Sequence, residues 1–281
     1  NSIANRAMNV NSGVQFPVQA IVFDWAGTLA DFGSLAPVAS FHSVFEDEGI
    51  DITFDEARCP MGLAKREHIA CLTHEPRIRD AWIEAKGTPP TEADNDRMYA
   101  SFIPRQIDAI RKHAEPIPEV LELFRALRDR GTRIGLCTGY NRPMLQELLA
   151  STRDHGLVVD YAVCSDDVRS GRPAPDMALS ALERLGKTDT ARRAKVDDTT
   201  PGILEGLAAG MWTVGLMISG NEVGLSHQDW SALPTSEQER MKDAAAEVHR
   251  RVGTHFVIDS AADLLPVLDT VATRLGEGQQ P

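Results

Sequence analysis

The sequence predicts an α/β protein, a Rossmann-like parallel-sheet core with an inserted all-helical cap, on three observations. Short apolar runs of strand length recur at 20–23, 133–137, 161–164, 194–196 and 212–216. Amphipathic stretches of helical length separate most of them, and such alternation builds a parallel sheet covered by helices on both faces. The interval from about Ser34 to His113 breaks the alternation, with several helical patterns and no convincing strand.

Each element has its own warrant. The run Ala20-Ile21-Val22-Phe23 delivers Asp24 to a bend at Gly27. In 119–130, Val120, Leu121, Leu123, Phe124 and Leu127 form one apolar stripe, and Gly131 stops the helix. In 175–185, Met177, Leu179, Leu182 and Leu185 share a face ahead of Gly186. Residues 36–48 and 92–112 read as helices of the insertion, the second interrupted by Pro104. Residues 235–252 read as a charged amphipathic helix, followed by a short strand at 255–258 and a final helix. The expected division is a mobile tail at 1–14, a core from 15–33 and 114–281, and a cap from 34–113. The chain would cross between them near 32–35 and 115–118.

Composition narrows the function. A formal net charge of -12 repels nucleic-acid phosphates and acidic membranes, so neither is an expected partner, and an anionic ligand needs a local cation. No run of membrane-spanning length occurs, and 1–14 lacks the continuous apolar region of an export signal. Cys59, Cys71, Cys137 and Cys164 are scattered without a CxxC pair, as expected of reduced thiols in a cytoplasmic protein.

The chemistry gathers at strand ends. In parallel sheets ligands collect beyond the carboxyl ends of the strands. Here those ends carry Asp24, then Thr138-Gly139, then Asp197-Asp198-Thr199, and the loop after the third run carries Gly171-Arg172-Pro173. Carboxylates, a hydroxyl with free backbone donors and one cation meeting at a single edge suit a phosphoryl group bound with Mg²⁺, with Asp24 as nucleophile. Taken singly, each motif is equally a turn or a helix start.

In this order the motifs resemble the haloacid dehalogenase superfamily: Asp24 in FDWAGT, Thr138 in CTGY, Arg172 in GRPAP and Asp198 in VDDT. Most phosphatases of that superfamily carry a second aspartate two positions after the nucleophile, which protonates an alcohol leaving group. Ala26 stands there. The insertion holds Arg-Cys-Pro-Met-Gly-Leu-Ala-Lys-Arg-Glu-His at 58–68, which is similar to the cap motif of the phosphonatase branch, the phosphonoacetaldehyde hydrolases. FGSLAP, TPPTEAD, SDDVRSGRPAP and AGMWTVG extend the resemblance over about 19–225.

That resemblance implies cleavage of the phosphorus-carbon bond of phosphonoacetaldehyde to acetaldehyde and phosphate. Lys65 would form an imine with the aldehyde and Asp24 an aspartyl-phosphate. The iminium would take the electrons of the breaking bond, which is why an alanine suffices at 26. Mg²⁺ would be held by Asp24, Asp198 and the carbonyl of Ala26. Thr138, Gly139 and Arg172 would hold the phosphonate oxygens, Met61 and His68 would line the cap side with His68 shuttling protons, and Tyr140 would add a contact. Asp197 would support the metal site from behind or merely start a helix, and Gly202 stands where relatives often carry a further acid. Ser34 falls where some phosphonatases carry cysteine. The resemblance also implies a homodimer paired through the cap. Two other readings remain: a capped Mg²⁺-dependent phosphatase or phosphomutase acting on a phosphate ester, against which Ala26 argues, and a catalytically silent binding protein, against which the intact reactive set argues.

Overall fold

A computed structural model describes residues 16–187 and 189–281. The expected tail at 1–14 lies outside the described residues. Six strands form one sheet: β1 (Ala20–Phe23), β2 (Arg133–Thr138), β3 (Tyr161–Cys164), β4 (Arg193–Asp197), β5 (Trp212–Leu216) and β6 (Phe256–Ile258). Their order is β3-β2-β1-β4-β5-β6, and every pairing is parallel. Each strand expected from its apolar run is present, with ends shifted by a residue at most. All residues of β1, β4 and β5 are buried, as a sheet covered on both faces requires.

β1 lies at the centre, and the chain order reverses beside it: β2 and β3 extend one way, β4 to β6 the other. Phe23 pairs with Leu136 on one side and Val196 on the other, so the ends of β1, β2 and β4 stand level. This is the crevice in which open α/β sheets bind ligands.

From 34 to 113 the chain forms helices only: α1 (Leu35–Asp47), α2 (Phe54–Arg58), α3 (Lys65–His74), α4 (Pro76–Lys86) and α5 (Glu92–Lys112). α5 packs against α1 and α3 and also reaches α7 (Arg142–Asp154) beside the sheet. The expected interruption at Pro104 does not occur. α5 runs through it, because Met98, Phe102, Gln106 and Ile110 bury a continuous face that outweighs one lost backbone hydrogen bond. α6 (Val120–Asp129), α8 (Asp176–Arg184), α9 (Thr200–Ala208), α11 (Thr235–Arg251) and α12 (Leu264–Gly276) complete the larger layers, with α10 (His227–Ala232) a short connector. Leu179, assigned to the apolar face of α8, is instead exposed. Among the described residues no helix is long and apolar enough to cross a membrane.

One carboxylate ties the two crossings together. Asp31 accepts from the backbone N–H of Leu35 and of Ala36, each at 3.0 Å, and so satisfies orphan donors at the start of α1. The same side chain meets His113 Nδ1, just past the end of α5, at 3.2 Å. A bridge between Ala30 and Pro116 and the bond from Ile117 N–H to the Leu29 carbonyl run alongside. Hydrogen bonding to Asp31 raises the pKa of His113. A raised histidine pKa stabilises the fold fully below its unfolded value and loses that contribution as pH rises through the folded value. Asp31→Ala should therefore lower stability by about 1–2 kcal/mol, as loss of a helix cap does, in urea titration. The same variant should return His113 toward its ordinary pKa by NMR, and an unmoved His113 would exclude the pairing.

Candidate active site

The reactive groups converge where the helical block closes on the sheet. α3 begins with Lys65, and the loop before it lies directly on the carboxyl end of the sheet. Two glycines permit that approach. Gly62 has φ +98, and a Cβ there would fall 2.4 Å from Thr199 Oγ1. A Cβ at Gly139 would fall 2.5 Å from the Leu63 carbonyl oxygen. No side chain fits at either position without pushing the loop away.

Lys65 is 5% exposed. Its Nζ sits 5.7 Å from the centroid of the Phe41 ring and 5.2 Å from that of Tyr140, with Met61 Sδ at 3.9 Å. Burial strips its water and brings its pKa down to about 8, against the opposing pull of Asp24. Tyr140 belongs to the sheet edge and Phe41 to α1, so the cage closes only when block and core meet. Tyr140 Oη accepts from Gln106 Nε2 of α5 at 2.9 Å, which fixes the ring across the seam.

Lys65 and Met61 share one cavity with Asp24, Ala26, Thr138, Gly139, Tyr140 and Arg172. Its volume is about 20 Å³, little more than one water molecule needs. Sequence reasoning gave no role to two further lining residues, Pro37 and Thr199, and left Ser34 without one. Nothing in their spacing distinguishes them from ordinary loop positions.

His68 departs from expectation. It does not line the cavity: its ring is fully buried behind it, stacked 3.7 Å from Phe41, with Nε2 donating to the Ala57 carbonyl at 2.9 Å. Burial, and then the nearby Lys65, hold its pKa well below the usual histidine value, so it is neutral and removed from any ligand. The helical pattern put it near Lys65, but the offset of about 60° between positions three apart on a helix points it into the block.

On the core side, Arg172 is 3% exposed. It pairs with Asp24 Oδ1 at 2.9 Å and Glu205 Oε2 at 3.0 Å, and donates to the Cys137 carbonyl at 2.9 Å. Burial and the neighbouring Asp197 raise the pKa of Asp24. Burial, Asp24 and Asp197 push that of Asp198 well above the carboxylate range. Asp24, Asp197 and Asp198 bring ligand atoms within 4.8 Å of one another. A surplus of buried negative charge with raised pKa values is the condition that a divalent cation relieves. Lys195 and Glu205, both fully buried, lie behind Arg172 and were not singled out from the sequence. A lysine between Ala194 and Val196 in a strand buried on both faces was the available signal.

The level strand ends, the nucleophile-like aspartate and the paired arginine define a class, and the haloacid dehalogenase-like hydrolase model matches residues 18–210. A phosphonoacetaldehyde hydrolase of Hahella chejuensis is 47% identical over 265 residues, 94% of this chain and 90% of that protein. One of Bordetella pertussis is 43% identical over 98% of this chain and 100% of its own. A crystal structure of a phosphonoacetaldehyde hydrolase-like protein from Oleispira antarctica superposes with a TM-score of 0.93 at 44% identity, covering 95% of this chain and 97% of that one. The chain belongs to the phosphonoacetaldehyde hydrolase family of haloacid dehalogenase-like hydrolases.

If the two glycines set the closeness of the seam, Gly139→Ala should pry the loop off the sheet and admit water to Lys65. Acetic anhydride labelling of Lys65, read by peptide mass mapping against exposed Lys86, should then rise several-fold. Unchanged labelling would show that the loop yields without opening the cage.

Proposed function

We propose that this chain hydrolyses the phosphorus-carbon bond of phosphonoacetaldehyde, giving acetaldehyde and phosphate. The observation that carries the reading is a buried amine with its pKa lowered to about 8, sharing a cavity with a carboxylate paired to an arginine. The family of its relatives supports the same substrate.

Neutral Lys65 Nζ adds to the aldehyde carbon and, with uptake of one proton from solvent and loss of water, forms a protonated imine. Asp24 attacks phosphorus as the carbon-phosphorus bond breaks, and the bonding pair flows into the iminium to leave an enamine. Protonation of the enamine carbon and hydrolysis of the imine release acetaldehyde and restore the lysine. Water hydrolyses the aspartyl-phosphate to phosphate and Asp24. A carbanion is thus never formed free, and no acid is needed at position 26. Arg172, the Thr138 hydroxyl and the Gly139 N–H hold the phosphonyl oxygens. Met61, Phe41 and Tyr140 keep water from the imine.

Asp24, Asp198 and the carbonyl of Ala26 fit Mg²⁺, since oxygen donors and uncompensated negative charge are what that cation requires. Bound there, it offsets the mutual repulsion of carboxylate and phosphonyl oxygens. The block formed by 34–113 acts as a cap on the core of 15–33 and 114–281. It must swing away to admit substrate, because the closed cavity is far smaller than a phosphonate. Two copies pair through this block, a reading supported by the largely apolar groove that Pro60, Leu63, Cys71 and Leu72 of the block form with Pro201 of the core. The protein works in the cytoplasm.

The phosphate-ester reading fails on Ala26, which offers no proton to an alkoxide. Borohydride reduction with phosphonoacetaldehyde should fix the substrate carbons to Lys65, located by peptide mapping. Trapping elsewhere, or turnover of phosphate esters without trapping, would overturn the assignment. The initial trapping rate should rise about tenfold per pH unit below about 8 and level above it, because only the uncharged amine adds to the carbonyl. Lys65→Arg should keep the fold by circular dichroism yet lose turnover altogether, since a guanidinium keeps the charge but forms no imine.

A further inference from the structure

Proximity alone would make Asp197 a third ligand beside Asp24 and Asp198. Its bonding excludes this. A carboxylate oxygen has two acceptor directions. Asp197 Oδ1 already accepts from the Thr199 N–H at 3.0 Å and the Thr199 hydroxyl at 2.8 Å. Asp197 Oδ2 accepts from Lys195 Nζ at 2.7 Å and faces Arg172 Nη2 at 3.3 Å. Oδ1 is therefore full, and Oδ2 is held by one ammonium donor with a guanidinium cation beside it, which leaves no place for a second cation. Asp198 has one donor on each oxygen, the Thr28 hydroxyl at 3.3 Å and the Asn221 N–H at 2.8 Å, and keeps directions open.

A second observation concerns the room Asp197 occupies. Its carboxylate leans over the first turn of α9, where a Cβ on Gly202 would lie 2.0 Å from Oδ2 and 2.3 Å from Oδ1. Position 202 must stay bare for Asp197 to hold its three donors and face Arg172. Behind it, Lys195 Nζ also meets Glu205 Oε2 at 3.4 Å, and Glu205 holds Arg172 Nε at 3.0 Å. Arg172 is thus gripped from two sides by acids that one buried lysine binds together.

We infer that Asp197 is a positioning residue for Arg172 and not a metal ligand, and that the bare position 202 makes this role possible. Lys195 and Glu205 complete the clamp that points the guanidinium at Asp24 and the phosphonyl group. The inference rests on the proposed reading of Arg172 as the phosphonyl-binding cation and of Asp198 as a metal ligand.

The test separates metal from anion without turnover. Mn²⁺ alone is titrated by electron paramagnetic resonance, and inorganic phosphate by calorimetry in the presence of Mn²⁺, on the full chain. Asp198→Asn should weaken Mn²⁺ binding by about tenfold or more, as loss of a ligand does, while Asp197→Asn keeps it within about threefold. Asp197→Asn should instead weaken phosphate by about tenfold, the cost of a slack charge-assisted contact. Gly202→Ala, which suits a helix and changes no charge, should reproduce that phosphate loss with Mn²⁺ affinity retained, and serves if Asp197→Asn fails to fold. Equal loss of Mn²⁺ in Asp197→Asn and Asp198→Asn would make Asp197 a ligand and overturn the inference. Unchanged phosphate binding in Asp197→Asn or Gly202→Ala would overturn it too. A wild-type protein inert toward phosphonoacetaldehyde would sink the proposed reaction and leave these binding results standing.

Discussion

The desolvation of Lys65 is the constraint on which the rest of the molecule depends. An ammonium is strongly hydrated, so a buried lysine is costly unless the surroundings repay it or it sheds its proton. Here the repayment is partial: two aromatic faces and a thioether replace water with weak attraction, and Asp24 adds a longer-range pull. The outcome is an amine poised between charge states near neutral pH. Half of that environment, Phe41 and Met61, comes from the helical block, and the other half, Tyr140, from the end of β2. The amine is tuned only while the two parts are in contact.

The core side obeys the opposite economy. Arg172, Lys195, Asp197 and Glu205 are all buried and all charged, and each is held by hydrogen bonds that leave few unpaired donors or acceptors. Breaking one partner of such a network strands the others in a medium that cannot solvate them. Asp197 is held down to about 2, despite burial that would raise it, by Arg172 and Lys195. Asp198 and Asp24 shift the other way, each raised first by burial and then by neighbouring carboxylates, Asp24 and Asp197 in the one case and Asp197 in the other, with Arg172 offsetting only part of the rise in Asp24. Rigid ionic scaffolding thus stands directly beside a pair of carboxylates that remain short of positive charge.

The fold was legible because strand and helix periodicities are local, and so was the placement of Asp24, Thr138, Arg172 and Asp198, since strand ends in a parallel sheet fall at one edge. Lys65 was legible through its motif. What escaped was long-range. Phe41 looked like any apolar residue of an amphipathic helix, and only contact with α3 shows which rings its face meets. His68 shares a helix with Lys65, yet the small angle between them sends it behind Phe41 and out of the cavity. Asp197 could not be assigned because its work depends on Lys195 before it, Thr199 after it and the absent side chain at 202. Pro104 was misread because propensity was weighed without the buried stripe that carries α5 through it.

The helical block leaves the sheet after β1 and returns before β2 at nearly the same point, where Ala30 bridges Pro116 and Asp31 joins the starts and ends of its helices. Such a layout makes the block a cassette: its two ends are already side by side, so its interior can be rewritten without disturbing the sheet. On the proposed reading, the groups that would handle phosphorus all sit on the host, whereas the amine that would handle carbon arrives with the guest. A change of leaving-group chemistry then asks for a new guest and one altered position on the host, 26, while the rest of the machinery for phosphorus stays as it was.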